Sequence, residues 1–278
     1  MRRRPRLLVL DLDGTTLTRD KQVLQQDRAA ALALAEQGVH VTLATGRLFA
    51  GTQPTARALG VRGNVAVMNG SELIDAHSGE VRLGRYLHRD STELARLLLA
   101  ESGLHGVLFR SGGLHFGRRS IAIQPYLSDW GDCMEVEEDL HGAEAWQAAD
   151  LLSVGVVGEP ERVQALRSRL EPALAEGEGL VEFDTHSGER FLSLRHRGED
   201  KGTALVRLAE ERGVAVEDTV AVGDWLNDVP MFRAAGRSFC MGGAIPQVAA
   251  EADEVRETRA HAGGAVAEVA RRVWGIRI

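Results

Sequence analysis

The sequence predicts an α/β protein with a doubly wound parallel core sheet and an inserted α+β domain. Three observations predict it. Short, continuously apolar runs alternate with helical patterns at both ends of the chain, as βαβ units with both sheet faces covered require. The middle of the chain carries two helix-then-hairpin patterns instead. Four of the apolar runs end in clusters of Asp, Thr, Asn, Arg and Gly, and open parallel sheets bind ligands beyond their carboxyl ends. A length of 278 residues, at ~150 residues per domain, is compatible with two domains.

The first run, Leu7–Leu10, precedes an alanine-rich helix predicted over 24–36 and closed by Gly38. A strand over 39–44, a helix over 48–59 and a strand over 65–68 follow. The rhythm resumes with a helix over 203–212, a strand over 219–222 and a helix over 228–235. Short strands at 239–241 and 253–257 and helices at 246–252 and 263–274 complete the core. In the middle, Asp90-Ser91-Thr92-Glu93 resembles a capping box that opens a helix to 102. Runs 106–110 and 114–117 flank Ser111-Gly112-Gly113 as a hairpin. A second helix over 160–176 precedes strands 180–184 and 190–194 around a turn at 186–188. Two α-β-β units ~75 residues apart suggest a duplicated domain. The boundaries expected are a core of 1–83 and 195–278 and an insert of 84–194.

Composition excludes several classes of function. The formal net charge of −7 has the wrong sign for a protein whose main partner is nucleic acid. With 26% charged and 44% hydrophobic residues, the chain is globular in composition rather than disordered. Cys133 and Cys240 form no C-x-x-C, which excludes a disulfide framework and a thiolate zinc site. No apolar run approaches the ~18 residues of a membrane span. The basic cluster at 2–6 imitates a secretion signal, but Asp11 ends the apolar stretch that follows. A soluble, cytoplasmic protein without a nucleic-acid or membrane partner is expected. The insert carries 10 basic and 19 acidic residues, which disfavours a polyanionic partner there, or simply reflects solvated helix faces. Only Lys21 and Lys201 interrupt 31 arginines, and arginine cannot mimic their compact ammonium.

The chemistry converges on the strand ends. Asp11 and Asp13 in Asp11-Leu12-Asp13-Gly14-Thr15 can face one point if the chain turns at Gly14. By chance such a D-x-D-G-T is expected about 0.004 times in this composition. A turn whose carboxylates accept backbone N–H groups is the bland reading. A second acidic site is Gly223-Asp224 with Asn227 and Asp228. Carboxylates crowded there need a cation, and oxygen-only ligands suggest magnesium beside a substrate phosphate. Asp228 reads equally as a helix N-terminal acid. Thr45 and Gly46 can offer a hydroxyl and N–H groups to a phosphoryl group, and Lys201 its positive charge. Lys201 also reads as a solvated helix-start lysine. Arg47, one arginine among 31, stays unassigned. His105 and His115 flank the first hairpin and read as surface or core residues. There is no G-x-S-x-G, G-x-G-x-x-G, Walker A or H-E-x-x-H sequence.

These residues resemble the haloacid-dehalogenase-like (HAD) hydrolase superfamily, and within it the Cof-like phosphatases. The pieces are Asp11-Leu12-Asp13-Gly14-Thr15-Thr16-Leu17, Leu43-Ala44-Thr45-Gly46-Arg47, Asn69-Gly70, Lys201-Gly202-Thr203-Ala204-Leu205 and Gly223-Asp224 with Asn227-Asp228, followed by Met241-Gly242 and Ala244. They stand in the family's order and span 11–244. Asp11 and Thr45 are only 34 positions apart, so the insert lies between Thr45 and Lys201, where this branch carries an αββ-repeat cap over a Rossmann-like core.

The resemblance implies a Mg²⁺-dependent phosphatase acting on a small phosphorylated metabolite such as a sugar phosphate. Asp11 would form an aspartyl-phosphate. Asp13 would be the general acid and base, its pKa raised by neighbouring carboxylates. The metal would be held by the Asp11 carboxylate, the Asp13 backbone carbonyl and Asp224, with Asp228 acting through water. Thr45, Gly46, Lys201 and Asn227 would hold phosphoryl oxygens or orient Asp11, and the cap would close over the site. Phosphosugar mutases of the phosphomannomutase type share the opening motif and cap. A non-catalytic sugar-phosphate-binding regulator is a rival from another class. Three positions depart from the family pattern: Trp225 is bulky enough to narrow the site, Asp200 stands ready to pair with Lys201, and Gly243 replaces an asparagine.

Overall fold

Leu7–Leu10 is fully buried because it is walled on both sides by parallel neighbours, with Leu7 in register with both Thr219 and His40. Each such side chain, three leucines and Val9, contributes roughly 2 kcal/mol of burial, so four in a row fix this strand at the centre of the fold. The structure, a computed structural model, describes residues 4–278 other than Asp129, Asp132 and His186. Arg2 and Arg3 of the basic cluster lie outside the described residues. Two compact units are present, one of residues 4–47, 52–83 and 199–278, the other of 48–51 and 84–198.

The first unit is built on five parallel strands in the order Glu254–Arg259, Arg237–Gly242, Thr219–Gly223, Leu7–Leu10, His40–Leu43. On one face, Leu205 and Leu208 of the helix Lys201–Glu211 pack with Phe232 against Leu7, Val9, Ala221 and Cys240. Elsewhere in this unit, helices Gln25–Glu36 and Ala265–Trp274 pack on each other. Asp27 joins them: buried on the first helix, it accepts the N–H groups of Gly264 (2.7 Å) and Ala267 (2.9 Å) at the start of the second.

The strand expected at 65–68 forms as Asn64–Val67, but it does not join the five-stranded ladder. One isolated parallel bridge, Ala44 to Ala66, touches the main sheet. The strand pairs antiparallel with Glu72–Asp75, and Val81–Gly84 completes this three-stranded sheet. Met68, Asn69 and Gly70 all have positive φ (47°, 55° and 99°), and this left-handed turn reverses the chain into a hairpin.

The second unit carries six strands in the order Glu178–Asp184, Arg190–His196, Leu151–Gly158, His105–Arg110, Gly113–Gly117, Met134–Glu137. Both predicted hairpins form. Between them lies Leu151–Gly158, a strand the helix-then-hairpin reading leaves out, buried at all eight positions. The turn at 186–188 is closed by Gly188 N–H on Thr185 O (3.0 Å), while His186 itself is outside the described residues. The capping box at 90–93 is absent: the helix starts two residues earlier than a cap at Asp90 would place it, as Arg89–Ser102, and His88 precedes it with no side-chain cap. The helix expected over 160–176 ends at Leu170, because Pro172 forces a tighter turn at Glu171–Ala173.

Asp27→Ala strips a buried and a part-buried N–H group of their acceptor and is expected to lower stability by about 2–4 kcal/mol. Urea unfolding measures it, and a loss under about 0.5 kcal/mol contradicts the tertiary cap.

Candidate active site

Asp11 is the first residue past the central strand, and its N–H donates to Val222 O (2.9 Å), which carries the ladder one step further. The chain then coils through Leu12–Thr16 in a wide turn, with Leu17 N–H on Leu12 O (2.9 Å) and Thr16 Oγ1 donating to Asp11 O (2.6 Å). Gly14 makes the turn possible twice over. Its φ is 79°, and a Cβ there would sit 2.1 Å from Asp224 Oδ2. Thr15 Oγ1 donates to Asp224 Oδ1 (3.0 Å), which ties the D-x-D-G-T turn to the residue that follows the strand Thr219–Gly223.

Lys201 is the first helical residue of Lys201–Glu211, and its side chain is 1% exposed. Its Nζ donates to Asp11 Oδ1 (2.5 Å) and Asp228 Oδ1 (2.6 Å). The solvated-lysine reading therefore does not hold. Asp200 does not pair with Lys201 either: it caps the helix, accepting the Thr203 N–H (2.8 Å) in a reciprocal capping box. Asp228 is fully buried, and its Oδ2 accepts the N–H groups of Asp224 (2.8 Å) and Trp225 (2.9 Å). It thus ties together the turn that presents Asp224. Trp225 is about half exposed, at 48%.

Asp11, Asp224 and Asp228 each offer a carboxylate oxygen within 4.8 Å of the others. Three buried carboxylates face one buried ammonium. Burial, then the Asp228 charge, pushes Asp224 up to about 7. Burial also raises Asp11, with Lys201 opposing and the two neighbouring aspartates adding to it. Lys201 is raised too, because its two carboxylates outweigh the burial that disfavours its charge. Asp11 and Asp224 are thus both pushed towards their protonated forms, a condition that further positive charge would relieve. An all-oxygen donor set in that condition fits a hard divalent cation.

Asp13 departs from expectation. Its carboxylate is 38% exposed and clamped by Arg47, Nε on Oδ2 (2.7 Å) and Nη2 on Oδ1 (2.5 Å), with Lys21 Nζ at 3.3 Å from Oδ1. Burial favours the protonated form, but the Arg47 hydrogen bonds and charge, helped by Lys21, hold it below the usual carboxylate range. A raised Asp13 is therefore corrected to a lowered one. Arg47, left unassigned by composition, is placed at the site, as are both lysines.

Thr45 is buried and its hydroxyl accepts the Arg47 N–H (3.2 Å). A Cβ on Gly46 would lie 3.5 Å from Asn69 Oδ1 and 3.6 Å from Asn227 Nδ2. Asn227 Nδ2 donates to Asn69 Oδ1 (2.9 Å). The sequence-predicted residues thus form a linked set in one unit: Asp11, Lys201 and Asp228 directly, Asp224 through Thr15 and Asp228, Asp13 through Arg47, and Thr45, Gly46 and Asn227 around Asn69. His105 and His115 lie in the other unit, bonded to Ser120 (3.2 Å) and Glu137 (2.8 Å).

A family model described as haloacid dehalogenase-like hydrolase matches residues 8–269. An HMP-PP phosphatase from Yersinia pseudotuberculosis is 28% identical over 255 residues, covering 90% of this chain and 89% of that protein. Among solved structures, TM0651 from Thermotoga maritima superposes with a TM-score of 0.80 at 23% identity, covering 97% of both chains. The HAD subclass IIB sugar phosphatase BT4131 gives 0.77 at 17%, covering 98% of this chain and all of that one.

Without metal, Asp224 keeps its proton in the folded state up to about 7, whereas its ordinary value is 3.8. The folded state then binds more protons than the unfolded one, so stability is fully present below about pH 4 and declines as pH rises towards about 7. Thermal unfolding in EDTA should show that decline, and millimolar Mg²⁺ should reverse it at pH 7–8. Asp224→Asn should flatten the decline. A Mg²⁺ shift undiminished in that variant contradicts the assignment.

Proposed function

The chain belongs to the haloacid dehalogenase-like hydrolase family, and from that membership we propose that it is a magnesium-dependent phosphatase of small phosphorylated metabolites, sugar phosphates first, working through an aspartyl-phosphate. The observation that supports this most is the state of Asp11. Lys201 holds its Oδ1, while its Oδ2 accepts no hydrogen bond among the described residues. A buried carboxylate with one oxygen fixed and the other free is poised as a nucleophile.

In the first half-reaction, Asp11 Oδ2 bonds to phosphorus as the bond to the leaving oxygen breaks and Asp13 passes that oxygen a proton. In the second, water attacks phosphorus, Asp13 takes its proton, and the Asp11 carboxylate is restored as phosphate leaves. Asp13 as found is ionised and ready to act as base. Its acid role requires the Arg47 clamp to loosen as the leaving group arrives. Lys201 neutralises charge on Asp11, and Thr45, Gly46 and Asn227 donate to the phosphoryl oxygens. Magnesium would be held by the Asp11 and Asp224 carboxylates and the Asp13 backbone carbonyl, with Asp228 through water, and supplies charge neutralisation when bound.

The unit of 84–198 is proposed to serve as the cap that reads the leaving group. Its acidic composition favours hydroxyl-rich or amine-bearing leaving groups over polyanionic ones. Among the described residues no helix is long and apolar enough to cross a membrane. Two free cysteines, Cys133 exposed and Cys240 buried, suit a reducing cytoplasm.

A panel of ~100 phosphorylated metabolites, HMP-PP included, assayed for phosphate release with Mg²⁺, tests the reading. Asp11→Asn should abolish release, EDTA should do the same, and Asp13→Asn should lower kcat by about 10²–10⁴-fold. No release that depends on Asp11 contradicts it. Phosphoryl transfer between sugar positions without free phosphate would indicate a mutase, and tight binding without turnover a regulator.

A further inference from the structure

The left-handed turn between Asn64–Val67 and Glu72–Asp75 meets the site at two levels. Its backbone holds the loop around Gly46: Asn69 N–H donates to Thr45 O (2.8 Å) and Met68 N–H to Arg47 O (2.9 Å). Both carbonyls that bracket Gly46 are thereby fixed, while the Gly46 N–H has no acceptor among the described residues. The turn's side chain does the rest. Asn69 Oδ1 accepts one proton of the Asn227 amide (2.9 Å), which orients that amide and leaves it a second donor proton. A residue at φ 55° that must also present a short hydrogen-bonding side chain is best met by Asn, the non-glycine residue that enters this region most readily.

We infer that Asn69 is a positioning residue for the phosphoryl pocket, holding the Asn227 amide in place through its side chain and the Thr45–Arg47 loop through its backbone. The inference rests on the phosphatase reading. It assigns Asn69 no contact with the reacting atoms: its whole effect on the phosphoryl group passes through Asn227 and the loop.

A double-mutant cycle separates this from a general structural role. Asn69→Gly keeps the left-handed backbone available and removes only the amide. Asn227→Ala removes the group it positions. Each single variant should raise KM, and the inhibition constant for inorganic phosphate, by about 10-fold while kcat changes less. The double variant should match Asn227→Ala within about twofold. Multiplying single effects, or Asn69→Gly without effect, overturns the inference. Binding of inorganic phosphate by calorimetry supplies the same cycle without turnover. A wild type that binds phosphate but gives multiplying effects defeats this inference alone. A wild type that neither binds nor releases phosphate defeats the phosphatase reading, and this inference with it.

Discussion

One buried ammonium organises the site. Lys201 lies between Asp11 and Asp228 at 2.5 and 2.6 Å, with all three side chains nearly or wholly out of water. Desolvating such charges costs several kcal/mol per ion unless geometry and further hydrogen bonds offset it. The surrounding fold supplies both. Asp200 and Thr203 cap the helix that starts at Lys201, and Gly202 passes so close to Pro230 O that a Cβ would come within 2.5 Å. Asp228 spends its other oxygen on two backbone N–H groups. The central strand delivers Asp11 to this point from a fully buried ladder.

Around that bridge the charges are deliberately unequal. Three carboxylates against one ammonium leave the buried side of the site short of positive charge, and burial, with the Asp228 charge adding to it, pushes Asp224 up to about 7. On the more exposed side the balance reverses, as Arg47 and Lys21 both face Asp13 and hold it low. Environments that drive neighbouring carboxylates in opposite directions are how one site assigns different tasks to identical side chains. Here the contrast separates the cation-seeking cluster from the carboxylate proposed to move protons.

Much of this was legible because strand ends announce themselves. Asp11, Asp224 and their partners follow short apolar runs, and a parallel sheet brings such ends together without long-range information. Rarity marked the lysines, and both reach site carboxylates. Arg47 stays unassigned for the opposite reason: in a chain with 31 arginines its type says nothing, and only its pairing with Asp13 does. Neighbouring carboxylates alone would raise Asp13, and the Arg47 pairing that no sequence pattern announces lowers it instead. Asn69-Gly70 ends an apolar run, and Asn-Gly between apolar runs is a hairpin signal, which is what the structure forms there. The strand Leu151–Gly158 escapes a helix-then-hairpin pattern because it pairs with no sequence neighbour: its partners are His105–Arg110 and Arg190–His196, both distant in the chain.

The central claim is that Asp11 becomes phosphorylated. Rapid acid quench during turnover of the best panel substrate, followed by borohydride reduction, converts an aspartyl-phosphate into homoserine that peptide mapping can locate. The account predicts homoserine at position 11 and nowhere else, appearing only when substrate and Mg²⁺ are both present. Conversion at position 13, or none at position 11 while phosphate is being released, would contradict it.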